Sequence, residues 1–166
     1  MAGLDGVISD VGAMNDYVIE ATPDDDPVIV IGHSIGSALS IYTVAHVEYK
    51  DRMKTLITVG AFSYYRDIAQ EVLSKSWLFW LFQWPLSFTV SNAYDPLESL
   101  ALISPVPACI MHSENDEMID MYHADRLFVT ANEPKSFELI DSNHSTVFVT
   151  KDNRQVLFHY QKTLRK

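Results

Sequence analysis

A serine hydroxyl becomes a useful nucleophile only when a base can take its proton and a carboxylate can orient that base. Ser34 stands in Gly32-His33-Ser34-Ile35-Gly36, directly after the apolar run Pro27-Val28-Ile29-Val30-Ile31 and before a helix-forming stretch from Ser37 to Val47. Strand, sharp turn and helix together put Ser34 at the apex of a nucleophile elbow. A serine there adopts a strained backbone, so the positions two before and two after it must be small, and Gly32 and Gly36 meet that need. The turn lifts the hydroxyl out of the sheet to where a base can reach it.

On an open parallel sheet the reacting groups gather at the C-terminal ends of the strands, and after an elbow of this kind the acid and then the base follow in the chain. The apolar segment Val106 to His112 runs into Ser113-Glu114-Asn115-Asp116-Glu117, which supplies the acid. Asp116 is the candidate, with Glu114, Glu117 and Asp120 as competitors that sequence physics leaves open. The next strand, Ser136 to Ile140, leads into Asp141-Ser142-Asn143-His144. Of the six histidines, His144 alone follows a strand after the acid loop, which makes it the candidate base. His46 and His159 fall in helix-like segments, His123 begins one, and His112 ends a strand. His33 fills the variable position of the elbow. For these five a packed or solvated imidazole is the expectation, with a place lining the pocket as the alternative for His33.

The elements that must position these groups alternate along the chain. Strands are expected at Val28–Ile31, Thr55–Val59, Val106–Met111 and Phe137–Ile140. Helices are expected at Gly36–Val47, Tyr64–Leu73, Pro96–Leu102 and Met121–Thr130, with a last one near Asn153–Leu164. Before the elbow strand, Met1 to Thr22 reads as a helix with Val7, Val11, Met14 and Val18 on one face. Asp95 reads as the N-cap of the Pro96 helix, with Pro96 at its first position and Glu98 at its third, a capping-box-like start. This alternation predicts an α/β fold, a mainly parallel sheet of about four strands covered by helices on both faces. No Gly-, Pro- or Ser-rich linker divides the 166 residues, so a single domain is expected over 1–166.

Elbow, acid loop and histidine loop together resemble the α/β-hydrolase superfamily. Gly60-Ala61-Phe62-Ser63 with Arg66-Asp67-Ile68-Ala69, then Tyr94-Asp95-Pro96-Leu97 and Ile103-Ser104-Pro105-Val106-Pro107, are similar to an esterase-like branch of serine-aminopeptidase-like and monoacylglycerol-lipase-like hydrolases. The resemblance implies Ser34 as nucleophile, Asp116 rather than Glu114 as acid, and His144 as base. It also implies a partial fold, because the chain matches only the second half of that family. About four strands that precede the elbow strand in the family, and an early His-Gly loop that donates to the oxyanion hole, find no counterpart here. The N–H of Ile35 is the one oxyanion donor that the resemblance retains. The elbow strand 28–31 is therefore expected as an open edge, able to take a second copy or the missing N-terminal half.

The implied activity is that of a serine hydrolase acting on a small-molecule ester, thioester or amide through an acyl-enzyme, with no cofactor. Two other classes compete: a catalytically weak fragment or assembly module, and an acyltransferase or perhydrolase with the same triad. Between the strands, a lid-like or pocket-forming insertion is expected near 64–102. Its aromatic run carries Trp77, Trp80, Phe82 and Trp84, either the wall of an acyl pocket or a helix packed on the core.

Composition excludes several functions. A net charge of −10 with no basic cluster argues against nucleic acid or an anionic membrane surface as partner. The single cysteine, Cys109, lies in an apolar strand and reads as a buried thiol. Asp24-Asp25-Asp26 lacks the glycine and distal glutamate of a calcium loop and reads as a solvated turn, so no metal site is expected. The N-terminus carries no signal-like apolar stretch, and the aromatic run from Trp77 to Val90 is too short for a bilayer, which places the chain as written in the cytoplasm.

Overall fold

Branched side chains suit a pleated, buried surface, and such runs build the sheet that carries the candidate residues. The computed structural model of the chain describes residues 4–75, 93–151, 153–155, 157 and 158. A helix, α1 (Leu4–Ala21), precedes β1 (Val28–His33), α2 (Ile35–His46), β2 (Met53–Val59) and α3 (Tyr65–Ser74). Then follow α4 (Pro96–Leu100), β3 (Ala108–Ser113), α5 (Met121–Thr130) and β4 (Lys135–Ile140). Asn153, Arg154 and Gln155 are helical, within the expected last helix.

The four strands are parallel in the order β1-β2-β3-β4. Register aligns their C-terminal ends: His33 lies opposite Val59, Val59 opposite Met111, and Ser113 opposite Ile140. The loops that carry Ser34, Gly60, Asp116 and His144 therefore leave the sheet along one edge.

One face buries Leu56 and Ile110 against Ile41 and Val44 of α2, Leu100 of α4, and Ala124 and Leu127 of α5. The other buries Ile57, Cys109 and Met111 beneath Val147 and Leu157. Cys109 is fully buried, as its strand position required.

The expected first helix forms, and one cap expectation needs correction. The apolar stripe of α1 does not enter the core: no residue of α1 is buried, and Met14 is 59% exposed. Leu4 packs against the buried Phe62, Tyr65 and Ile119, and polar ties hold the rest of the helix. Tyr94 and Tyr49 donate their hydroxyls to Asp5 and Asp16, and Asn15 Nδ2 donates to Thr43 Oγ1 at 3.2 Å. Asp95, although at the N-cap position of α4, makes no side-chain cap to that helix. Its Oδ1 accepts instead from the N–H of Tyr65 at the start of α3, at 2.9 Å. Burial drives its carboxyl upward against that hydrogen bond.

Candidate active site

At Ser34 the strand stops and the helix begins, and the backbone pays for the change of direction with φ 54° and ψ −123°. Among the described non-glycine residues only Ser34 has a positive φ, a strained conformation of the kind that collects at functional sites. Its side chain makes no cap to α2, although it occupies the N-cap position. The hydroxyl therefore stays available while Ser34 N–H donates to Val59 O at 2.9 Å and fixes the elbow to β2. Ser37 completes the anchorage, its buried hydroxyl donating to Val59 O at 3.2 Å and accepting from Val59 N–H at 3.1 Å.

The two elbow glycines differ. A Cβ at Gly32 would stand 2.5 Å from Ser37 Cα and 2.6 Å from Gly36 O, so only glycine fits. At Gly36 a Cβ would meet nothing within 4 Å among the described residues, which corrects the expectation that both positions must be small. The crowding comes from the strand running beneath the first turn of α2, and it falls on the strand side alone. Ile35 opens α2, where the first N–H groups of a helix lack partners within it, and its side chain is 56% exposed.

Asp116 and His144 meet from adjacent loops, with His144 Nδ1 and Asp116 Oδ2 2.8 Å apart. The carboxylate accepts, so the ring carries its proton on Nδ1 and leaves the Nε2 lone pair free. Asp116 Oδ1 accepts from the N–H groups of Met118 and Ile119, both at 2.9 Å. Burial pushes the Asp116 carboxyl up, but the His144 hydrogen bond, those two backbone donors and the charge of His144 outweigh it and leave the group below the usual carboxylate range. It is the ionised, oriented partner that an imidazole base requires. The structure gives no hydrogen bond between Ser34 Oγ and the His144 ring, a contact that commonly tightens only when substrate is bound.

Further contacts lock the two loops together. Ser113 Oγ donates to Ser142 O at 2.6 Å and accepts from the N–H groups of Asn115 and Ser142, both at 3.1 Å. Asn115 Nδ2 donates to Asp141 Oδ1 at 2.7 Å. Gly60, at φ +55°, lies under the pair; a Cβ there would stand 3.3 Å from Asp116 Oδ2 and 3.4 Å from His144 Nδ1. Glu117, a competitor for the acid, directs its carboxylate to the His144 N–H instead, at 3.1 Å. His33 Nε2 donates to His144 O at 3.0 Å, and its ring lies edge-on to Phe148. Reading the sequence missed these uses of Gly60, Glu117 and His33, because each depends on a main-chain atom or ring brought from a distant loop. A positive φ at a strand end is the one feature that a glycine directly after β2 could have signalled.

The other histidines are packed or surface groups. His112 is buried with Nε2 donating to Ile119 O at 3.0 Å, and His46 stacks on Tyr42 at the surface. His123 is fully buried; its Nδ1 accepts from Ser63 Oγ at 2.8 Å while Nε2 donates to Glu71 Oε1 at 3.0 Å. That serine, histidine and glutamate sequence imitates a triad, but Ser63 and His123 are both sealed from solvent. Trp77, Trp80, Phe82 and Trp84, and His159, lie outside the described residues. Among the described residues no group of three or more His, Cys, Asp or Glu is gathered to hold a metal, and no helix is long and apolar enough to cross a membrane.

A strained serine at a helix N-terminus, on the same sheet edge as a carboxylate paired to a histidine, is the set of groups that nucleophilic acyl transfer uses. Comparison with known proteins agrees in fold. Residues 1–97 match the family described as serine aminopeptidase, S33. The chain is 26% identical over 151 residues to the uncharacterized protein YfhR of Escherichia coli O157:H7, covering 86% of this chain and 49% of that protein. It is 24% identical over 154 residues to YfhR of Salmonella typhi, covering 87% and 49%. The chain thus spans about half the length of the curated relatives it matches. An esterase of Pyrococcus furiosus superposes with a TM-score of 0.73 at 17% identity, covering 100% of this chain and 64% of that one. An α/β-hydrolase enzyme from a lagoon-sediment metagenome of Mar Chica, Morocco, superposes with a TM-score of 0.66 at 15% identity, covering 96% and 71%.

Proposed function

The chain belongs to the serine aminopeptidase S33 family, within the α/β-hydrolases, and from that premise we propose that it is a serine hydrolase cleaving an ester, thioester or amide of a small molecule through an acyl-enzyme. The observation that carries the reading is the Asp116–His144 pair, with Oδ2 and Nδ1 2.8 Å apart, on the same sheet edge as the strained Ser34.

In the proposed cycle His144 Nε2 takes the Ser34 hydroxyl proton as Oγ bonds to the substrate carbonyl carbon. Negative charge collects on the carbonyl oxygen, where the N–H of Ile35 donates to it. Collapse breaks the bond to the leaving group, which leaves with the proton held by His144. Water then attacks the acyl-serine with His144 again as base, and the acid product departs. Asp116 holds the tautomer throughout and stabilises the imidazolium without taking its proton.

Labelling with a fluorophosphonate tests this directly. The reagent should modify Ser34, Ser34→Ala should abolish the labelling, and His144→Ala should slow it strongly. Modification of another serine would remove the assignment.

The open edge of β1, which pairs with β2 alone among the described residues, favours a second reading. In it the unit carries the triad but turns over substrate efficiently only with a further strand laid on β1.

A further inference from the structure

Resting on the triad just proposed, we propose that Glu117 and His33 are positioning residues that clamp the main chain of His144 and so hold its imidazole in line between Asp116 and Ser34. One hydrogen bond, donated by His144 Nδ1–H to Asp116, fixes which ring nitrogen is protonated. It does not fix where the ring sits, because the loop that carries it can still shift. His144 begins a short turn of 3-10 helix, His144–Thr146, whose preceding residue Asn143 gives no side-chain cap. An N–H at such a position lacks a partner unless something outside the turn supplies one.

Glu117 supplies it, accepting the His144 N–H at 3.1 Å. On the far side of the same residue, His33 Nε2–H donates to the His144 carbonyl at 3.0 Å, and the two rings lie 5.0 Å apart. The two clamping groups come from the elements that carry the other triad members. Glu117 directly follows the acid Asp116, and His33 directly precedes the nucleophile Ser34. The base is therefore referenced at its N–H to the acid loop and at its C=O to the nucleophile strand. Glu117 is itself tied down, since Lys75 at the end of α3 donates to the carbonyls of Glu117 and Met118. The arrangement gives the elbow histidine a role that needs no contact with substrate.

Positioning errors of about 1 Å can cost on the order of a hundredfold in rate, so losing one of two clamps should cost about tenfold. Glu117 is exposed, and replacing it empties no core. Glutamine keeps an acceptor at Glu117 and a donor near the His33 Nε2 position, whereas alanine keeps neither. For Glu117→Ala and His33→Ala, the maximal rate constant of fluorophosphonate labelling should fall about tenfold while the half-saturating reagent concentration stays put. Glu117→Gln and His33→Gln should recover to within about twofold. In parallel, the low-field proton resonance of His144 Nδ1–H, assigned by its absence in His144→Gln, should broaden in both alanine variants and persist in both glutamine variants. That signal needs no reagent, so it reports on the clamp even in a chain that labels slowly.

Alanine variants that label at the wild-type rate and retain a sharp Nδ1–H resonance would overturn the clamp. An alanine loss that glutamine does not rescue would also overturn it. Labelling that survives Ser34→Ala would instead overturn the proposed function, with the resonance still judging the clamp.

Discussion

Gly60 carries no side chain where one would press on Asp116 and His144, and its φ of +55° is one that other residues adopt only with strain. Gly60→Ala should therefore act on the base rather than on the core. A fall in turnover of about tenfold or more is expected, with a small change in unfolding midpoint. A large loss of stability with unchanged turnover per folded molecule would show that Gly60 serves the turn alone. The acid loop gives a second comparison at this scale. Asp116→Asn should lower turnover by orders of magnitude more than Glu114→Gln or Glu117→Gln, because only Asp116 sets the tautomer of His144; equal losses in kinetic assays of all three would move the acid elsewhere. Residue types and order along the chain made Ser34 and His144 candidates and the resemblance chose Asp116 among its neighbours, and the structure pairs that carboxylate with His144. The work of Glu117 was not legible, since a carboxylate aimed at a backbone N–H leaves no trace in spacing.

Among the elements, α3 and α5 are joined by a buried histidine and by the Arg126–Asp67 ion pair at 3.0 Å. His123 satisfies Ser63 with one nitrogen and Glu71 with the other, so His123→Ala should leave the buried Ser63 hydroxyl unpaired beside a cavity and cost about 2–4 kcal/mol. Burial lowers the His123 pKa from its ordinary 6.5, against the pull of Glu71. The sign follows. A lowered folded value means that the stability contributed by His123 is whole above its ordinary value and is lost as pH falls through the depressed one. Denaturation at about pH 7.5 and about pH 5 should show the gap between wild type and His123→Ala narrowing on the acid side. A gap that widens would mean that the histidine is buried charged. Strands and most helices of this layout were legible because apolar runs and turn residues set them locally, each within a few residues of its observed bounds. What failed was long-range. Asp95 had every local mark of a cap for α4, yet it serves the start of α3, and only tertiary contact decides between two helices.

At the scale of the molecule, the hydrophobic pattern of α1 and the open edge of β1 pose one question. Val11, Met14 and Val18 were periodic enough to announce a helix but not to say what it would cover, and they line a groove with Val28, Ile29 and Ile31 instead of entering the core. An apolar cavity of about 260 Å³ shares Ile29 and Ile31 with that groove and is further bounded by Ile57, Phe148, Leu157 and Phe158. An edge strand lined by apolar residues is a template for another strand, and Ile31 is 52% exposed there. The isolated chain is expected to self-associate through β1 in a concentration-dependent way, despite a net charge of −10 that opposes it. Ile31→Lys places a charge on that edge without touching Ser34, Asp116 or His144. Light scattering should show the wild-type assembly shrinking to monomer in this variant while its circular dichroism is retained. If a strand on β1 also completes the site, adding a polypeptide that supplies one should raise the Ser34 labelling rate of the wild type and not of Ile31→Lys. A wild-type chain that stays monomeric over the whole concentration range and labels rapidly would mean that β1 needs no partner and that the unit works alone.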